Sequence, residues 1–157
     1  MISTIINLAV VLVAFISMEG VAWFTHKYVM HGLLWSVHND HHHKEHDSVF
    51  ERNDFFFLFF AIPGILGLFF GMNNDFDFRF WAGLGITLYG LAYFLVHDIF
   101  IHQRLKLFRN SEWIYFKALR RAHKVHHKHL GKEEGECFGM LFVPLKYFKE
   151  TTKANRK

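Results

Sequence analysis

Three stretches of this chain are so poor in charge that water is a bad solvent for them. Residues 1–18 carry no charged side chain, and after Glu19 the apolar character resumes through Phe24. Residues 55–72, FFFLFFAIPGILGLFFGM, are likewise uncharged, with Pro63-Gly64 near the middle, and residues 80–96, FWAGLGITLYGLAYFLV, end at His97. Each run approaches the roughly 20 residues that cross a hydrocarbon core of about 30 Å. In lipid every backbone polar group must be satisfied within the chain, which favours helices. The expected fold is therefore all-α: an integral membrane helical bundle of three to four transmembrane helices in a single domain, 1–157. The fourth helix depends on whether 137–149 is embedded. The second run reads as a full span in preference to a re-entrant hairpin turning at Pro63-Gly64.

A composition of 52% hydrophobic and 20% charged residues excludes an ordinary small soluble enzyme. The single cysteine, Cys137, permits no internal disulfide and no C-x2-C zinc motif. Of 18 Lys and Arg, 14 lie between Arg104 and Lys157. Such a tail suits anionic lipid or nucleic acid, and the apolar runs decide for the membrane and against nucleic acid. By the positive-inside rule the tail and the 25–54 loop face the cytoplasm, and the N-terminus and the 73–79 loop face out. The N-terminus lacks the basic region and cleavage site of a signal peptide and reads as a retained helix.

All thirteen histidines then fall at the cytoplasmic face, and ten of them form a pattern that occurs twice. His26 and His31 make an H-x4-H, followed by His38, His41 and His42 as H-x2-H-H. His97 and His102 repeat the first element, and His123, His126 and His127 the second. Histidine is the commonest metal ligand and is neutral near physiological pH. Residues three and four apart share a helical face. Each triplet thus spans an arc of about 100° on a helix. The H-x4-H pairs are less tidy, since i and i+5 lie about 140° apart on an ideal α-helix. A helix that unwinds or bulges there would turn both rings to one side. Ten ligands are too many for one ion, so two metals are expected in a histidine-rich helical cap. His43, His46 and His129 lie off the arcs and are expected to be non-ligands.

The segment Ser111–Leu130 reads as a three-faced helix with Ser111 as N-cap. Ala118, Leu119, Ala122 and Val125 form its apolar face. Lys117, Arg120, Arg121, Lys124 and Lys128 form a basic stripe for lipid phosphates or for an acidic electron-donor protein. Glu19 shares a helical face with His26, and Asp98 adjoins His97. Both are candidates to orient a ligand imidazole from behind, with the alternative for Glu19 that it lies near the interface and snorkels. Imidazole ligation of two metals, approached by apolar helices, fits a redox oxidant aimed at a lipid.

The residues around the histidines carry a resemblance. Met18–Gly32, Val49–Asp54, Tyr93–Arg104, Ala122–His127 and Phe138–Pro144 resemble the bacterial β-carotene hydroxylases, within the membrane fatty-acid hydroxylase and desaturase superfamily. His43 and His46 are additional to the family's pattern, which leaves His42 or a neighbour for one ligand place, and the helical arc favours His42. The resemblance implies a non-haem di-iron monooxygenase that hydroxylates C3 of β-ionone rings, taking β-carotene through β-cryptoxanthin to zeaxanthin. It implies His26, His31, His38, His41, His42, His97, His102, His123, His126 and His127 as iron ligands. It also implies two Fe ions, O2 as co-substrate, electrons from a ferredoxin-type donor, and a bacterial inner-membrane location. Trp23, Trp35, Tyr89 and Tyr93 are available to line a polyene channel, none individually assigned. The alternatives are a fatty-acid or sterol hydroxylase, a non-catalytic membrane zinc or copper protein, and a bis-histidine haem protein.

Overall fold

A computed structural model of the chain describes residues 2–43, 50–107, 110–133 and 135–154. Among these residues every regular element is helical. α1 (Ile2–Phe24) runs on into a π-helical segment, Thr25–Leu33, and then comes α2 (Trp35–His42). A 3-10 turn, Arg52–Phe55, leads into α3 (Phe56–Met72). α4 (Phe78–Tyr93) continues as a second π segment, Phe94–Ile101, and α5 (Ile114–His126) and α6 (Leu145–Ala154) follow.

Three helical runs, Ile2–Leu33, Arg52–Met72 and Phe78–Ile101, are long and apolar enough to cross a membrane. They correspond to the three apolar runs of the sequence, each extended at one or both ends. The second continues as one helix through Pro63, so the hairpin alternative does not hold. α6, the one helix near 137–149, has 10 residues. At 1.5 Å per residue it covers only about 15 Å, so the described residues supply three spans and not a fourth. Ile5, Leu8, Leu12 and Ile16 of α1 and Phe57, Ile62, Ile65 and Phe69 of α3 are exposed. Continuous apolar surface on that scale marks contact with lipid.

The chain divides into two compact units. The first holds α1 up to Val21 together with Asp54–Ala92. Helices within it touch at glycines: a Cβ on Gly83 would stand 2.6 Å from the Leu68 nitrogen, and one on Gly85 2.5 Å from the Val11 carbonyl oxygen. Tyr89, 1% exposed, donates its hydroxyl hydrogen to Glu19 at 2.7 Å and meets Phe15 edge-on. α3 and α4 are joined by a tight turn in which Asp75 and Phe76 both have positive φ.

The second unit holds Ala22–Asn53 and the chain from Tyr93 onward. Its apolar core joins Ala118, Leu119 and Ala122 of α5 to Val143 and Tyr147, with Val125 packed at the edge. That is the apolar face expected for the helix, but the helix is shorter than 111–130. Its first backbone bond runs from Lys117 N to the Trp113 carbonyl, with Trp113 extended and Ser111 making no cap. Glu112 instead pairs with Lys117 on the helix flank. At the other end, i→i+3 bonds from Lys128 and His129 tighten and close the last turn. Part of the basic stripe is engaged within the chain: Arg121 pairs with Glu150, and Arg120 lies over the Phe100 ring at 4.3 Å.

Candidate metal centre

Both H-x4-H pairs belong to π-helical turns. The His102 amide donates to the His97 carbonyl at 2.9 Å, and the Leu34 amide to the Val29 carbonyl at 2.7 Å, each five residues back. A ladder of i→i+5 bonds stacks residues five apart, which the α register cannot do. The rings of His26 and His31 lie 5.2 Å apart, and those of His97 and His102 4.5 Å. The spacing H-x4-H is thus a π-register signature at this site, and it explains why the histidines repeat every five residues and not every four.

Nine of the ten histidines gather into two groups whose ligand atoms lie within 4.8 Å of one another. One is His26, His31, His38, His42 and His126; the other is His41, His97, His102 and His123. Each H-x4-H pair stays whole, whereas each triplet is divided. α2 sends His38 and His42 to the first group and His41 to the second. α5 sends His123 to the second and His126 to the first. His127 belongs to neither by that distance, yet its ring lies 4.6 Å from His123, 4.8 Å from His41, 4.9 Å from His102 and 4.6 Å from His42. In the repeat, His127 is the counterpart of His42.

Six of the ten imidazoles have a specific acceptor behind Nδ1, whereas His42 Nδ1 is buried without a hydrogen-bond partner among the described residues. The Nδ1 hydrogens of His26, His31 and His126 go to the carbonyls of Phe138 (3.0 Å), Lys132 (3.2 Å) and Glu136 (2.9 Å). His38 Nδ1 donates to Asn53 Oδ1 at 2.6 Å, and His41 Nδ1 to Glu51 Oε2 at 2.7 Å. His97 Nδ1 faces Asp98 Oδ2 at 3.4 Å.

A neutral imidazole has one hydrogen, so each Nε2 of these rings is a bare lone pair. Those lone pairs converge: His26 and His38 Nε2 are 3.1 Å apart, and His31 and His126 Nε2 3.3 Å. Two acceptors at that distance repel unless a cation lies between them. His41 Nε2 and His127 Nε2 are buried without a hydrogen-bond partner among the described residues, in a setting where that is costly. The donor set therefore fits metal ions, and neutral imidazoles suit iron, zinc or copper.

Charge at the site points the same way. Burial first, then the crowding of other imidazoles, pushes His42 down to about 2 and His127 to about 4. Burial likewise takes His38 and His126 to about 3, opposed by their bonds to Asn53 and the Glu136 carbonyl. His41, His102 and His123 are also lowered well below the ordinary histidine range, by burial and by neighbouring imidazoles. At neutral pH these rings are uncharged and ready to ligate.

Other sequence candidates lie elsewhere. His43 Nε2 is bonded to the Leu130 carbonyl, and His43 and His129 join neither group; His46 lies outside the described residues. Glu19 takes the Tyr89 hydroxyl, while the orienting bond on His26 comes from Phe138. Asp98 does face His97. The sequence reading did not single out Glu51, Asn53 and Arg104. Glu51 and Asn53 follow the second histidine element as the polar part of FERND, a signal available but unspecific.

Residues 11–151 match the model of the fatty acid hydroxylase family. The chain is 40% identical over 143 residues to the beta-carotene hydroxylase of Pseudescherichia vulneris, covering 88% of this chain and 78% of that one. The beta-carotene hydroxylase of Paracoccus sp. (strain PC1) is 37% identical over 136 residues, covering 86% and 83%. The chloroplastic beta-carotene hydroxylase 1 of Capsicum annuum is 37% identical over 134 residues, covering 83% of this chain and 42% of its own length. No solved structure matches the chain.

Proposed function

Because the chain belongs to the fatty acid hydroxylase family, we propose that it is a membrane β-carotene hydroxylase acting at C3 of β-ionone rings, yielding β-cryptoxanthin and then zeaxanthin. The observation that carries this reading is the pair of convergent lone-pair sets, in a chain whose bacterial relatives are named beta-carotene hydroxylases. The metal is two non-haem iron ions. His26, His31, His38, His42 and His126 hold one. His41, His97, His102 and His123 hold the other, with His127 as the fifth ligand that the repeat assigns by its correspondence to His42. Bound iron supplies the oxidising chemistry that puts one atom of O2 on the ring carbon and the other into water, using two electrons and two protons.

The chain's own residues prepare that chemistry. Where an acceptor stands behind Nδ1, it fixes the tautomer and aims Nε2 inward. Phe138 lies edge-on to the rings of His26, His31 and His126 at 5.4, 5.1 and 5.3 Å, sealing one side with apolar surface. The exposed apolar faces of the spans offer a lipid-phase route for a polyene. The electrons come from a ferredoxin-type donor, and the histidines face the cytoplasm at a bacterial inner membrane, a reading that the basic tail from Arg104 onward supports.

Expression in a β-carotene-accumulating bacterium, with pigment analysis, tests the reading. β-Cryptoxanthin and zeaxanthin are expected, with two Fe per purified chain. Iron-loaded protein that leaves β-carotene untouched would point to a fatty-acid or sterol substrate. Bound zinc or copper with no product would point to a metal-handling protein.

A further inference from the structure

The repeat gives the two histidine groups matching ligand sets, but the residues behind those ligands do not match. His26 corresponds to His97, and His126 to His41. In the first group, His26 and His126 donate to backbone carbonyls, of Phe138 and Glu136. In the second, His41 donates to the Glu51 carboxylate at 2.7 Å, and His97 faces the Asp98 carboxylate at 3.4 Å. The remaining backing residues of the first group, Asn53 and the Lys132 carbonyl, are also neutral.

One side chain ties the two carboxylates together. Arg104 lies 3.3 Å by Nη2 from Glu51 Oε2 and 3.1 Å by Nε from Asp98 Oδ1. Its amide donates to the Asp98 carbonyl at 2.9 Å. Gln103, directly after His102, takes φ 55°. A non-glycine residue in the left-handed region is strained and persists where its surroundings fix it. Glu51 and Asp98 are both largely shielded, with side chains 9% and 14% exposed, so their charges act through little water. Two carboxylates against one guanidinium leave net negative charge behind the second group, whereas the acceptors named behind the first are neutral.

We propose that the two histidine groups hold inequivalent ions, and that Arg104 is the positioning residue that sets the difference by clamping Glu51 and Asp98 behind His41 and His97. A carboxylate behind a ligating imidazole raises its basicity and fixes its orientation, and losing such a partner typically costs roughly 10–100-fold in metal affinity. The second group is thus the tighter site and fills first. The inference rests on the two-metal reading given above.

The test is titration of the metal-free, detergent-solubilised full chain with Co(II), followed by calorimetry and by the d–d absorption of the bound ion. Two ions binding in two resolved steps are expected. His97→Ala should remove the tighter step and His26→Ala the weaker. Glu51→Gln keeps a hydrogen-bond acceptor but loses the charge, and should weaken the tight step alone by roughly 10–100-fold. Arg104→Gln leaves both carboxylates charged but unclamped, so a weaker tight step is the expected result of lost positioning, and an unchanged or tighter step would overturn the role given to Arg104. Asn53→Asp places a carboxylate behind His38 and should tighten the weaker step, a gain that misfolding cannot imitate. Fewer than two ions bound by the unsubstituted chain would overturn the two-metal reading and this inference together. Two ions in steps that Glu51→Gln and Asn53→Asp both leave unchanged would overturn the inequivalence alone.

Discussion

His126 and His129 are three residues apart on one polypeptide turn and have opposite expectations. His126 is fully buried, faces His31 through Nε2 and is held from behind by the Glu136 carbonyl. His129 belongs to neither group. His126→Ala should reduce carotenoid hydroxylation to background and lower bound iron, whereas His129→Ala should leave both near the unsubstituted level; pigment analysis and iron content check this. Protonation provides a second test. The buried rings of His38, His42, His126 and His127 have folded-state pKa values of about 2 to 4, while in the unfolded chain they titrate near 6.5. Above that value both states are neutral and pH has no effect through these groups. As pH falls below it, the unfolded chain takes up protons that the folded chain refuses, so stability drops. The melting temperature of metal-free protein should be flat near pH 7.5 and fall steadily from about pH 6.5 downward. A melting temperature constant to pH 5 would contradict the burial of these rings.

At the scale of elements, the glycines of α4 differ by what stands opposite them. A side chain at Gly85 meets the Val11 carbonyl, whereas nothing lies within 4 Å of a Cβ at Gly90. Gly85→Leu should destabilise by about 1–3 kcal/mol, the ordinary cost of overpacking. Gly90→Ala should instead stabilise by roughly 0.5–1 kcal/mol, because alanine loses less backbone entropy in a helix. Thermal denaturation in one detergent compares the two. Elements were also where the sequence was most and least readable. Apolar runs announced the spans because lipid contact needs nothing but length and hydrophobicity. The doubled histidine spacing announced a clustering of imidazoles, found here as two groups, because ligand geometry is local to a helical turn. Of the acceptors behind the ligands, Asp98 beside His97 was legible, but the backbone carbonyls were not. The carbonyl on His26 belongs to a residue 112 positions away, and a backbone carbonyl has no residue identity to read. Nor did Ser111 cap its helix: Trp113 takes the cap position and Glu112 pairs with Lys117, a choice between neighbours that capping preference alone does not resolve.

For the whole molecule, the proposed topology puts the tail from Arg104 onward in the cytoplasm and the 73–79 loop outside, from the positive-inside rule. Fusion of a fluorescent protein at the C-terminus should give a folded, bright reporter, and alkaline phosphatase inserted in the 73–79 loop should be active in the periplasm. The reverse pattern would move the histidines to the outer face and remove the cytoplasmic donor. The division of both triplets has a further consequence for how the centre behaves as a machine part. α2 and α5 each deliver ligands to both groups from positions one helical turn apart, a rise of about 4.5 Å from His38 to His41. Neither histidine group can shift without moving a helix that also carries histidines of the other. The bite of the site is therefore clamped by covalent helix geometry, and chain variants that lengthen or shorten surrounding loops should leave the spacing between the ions unchanged.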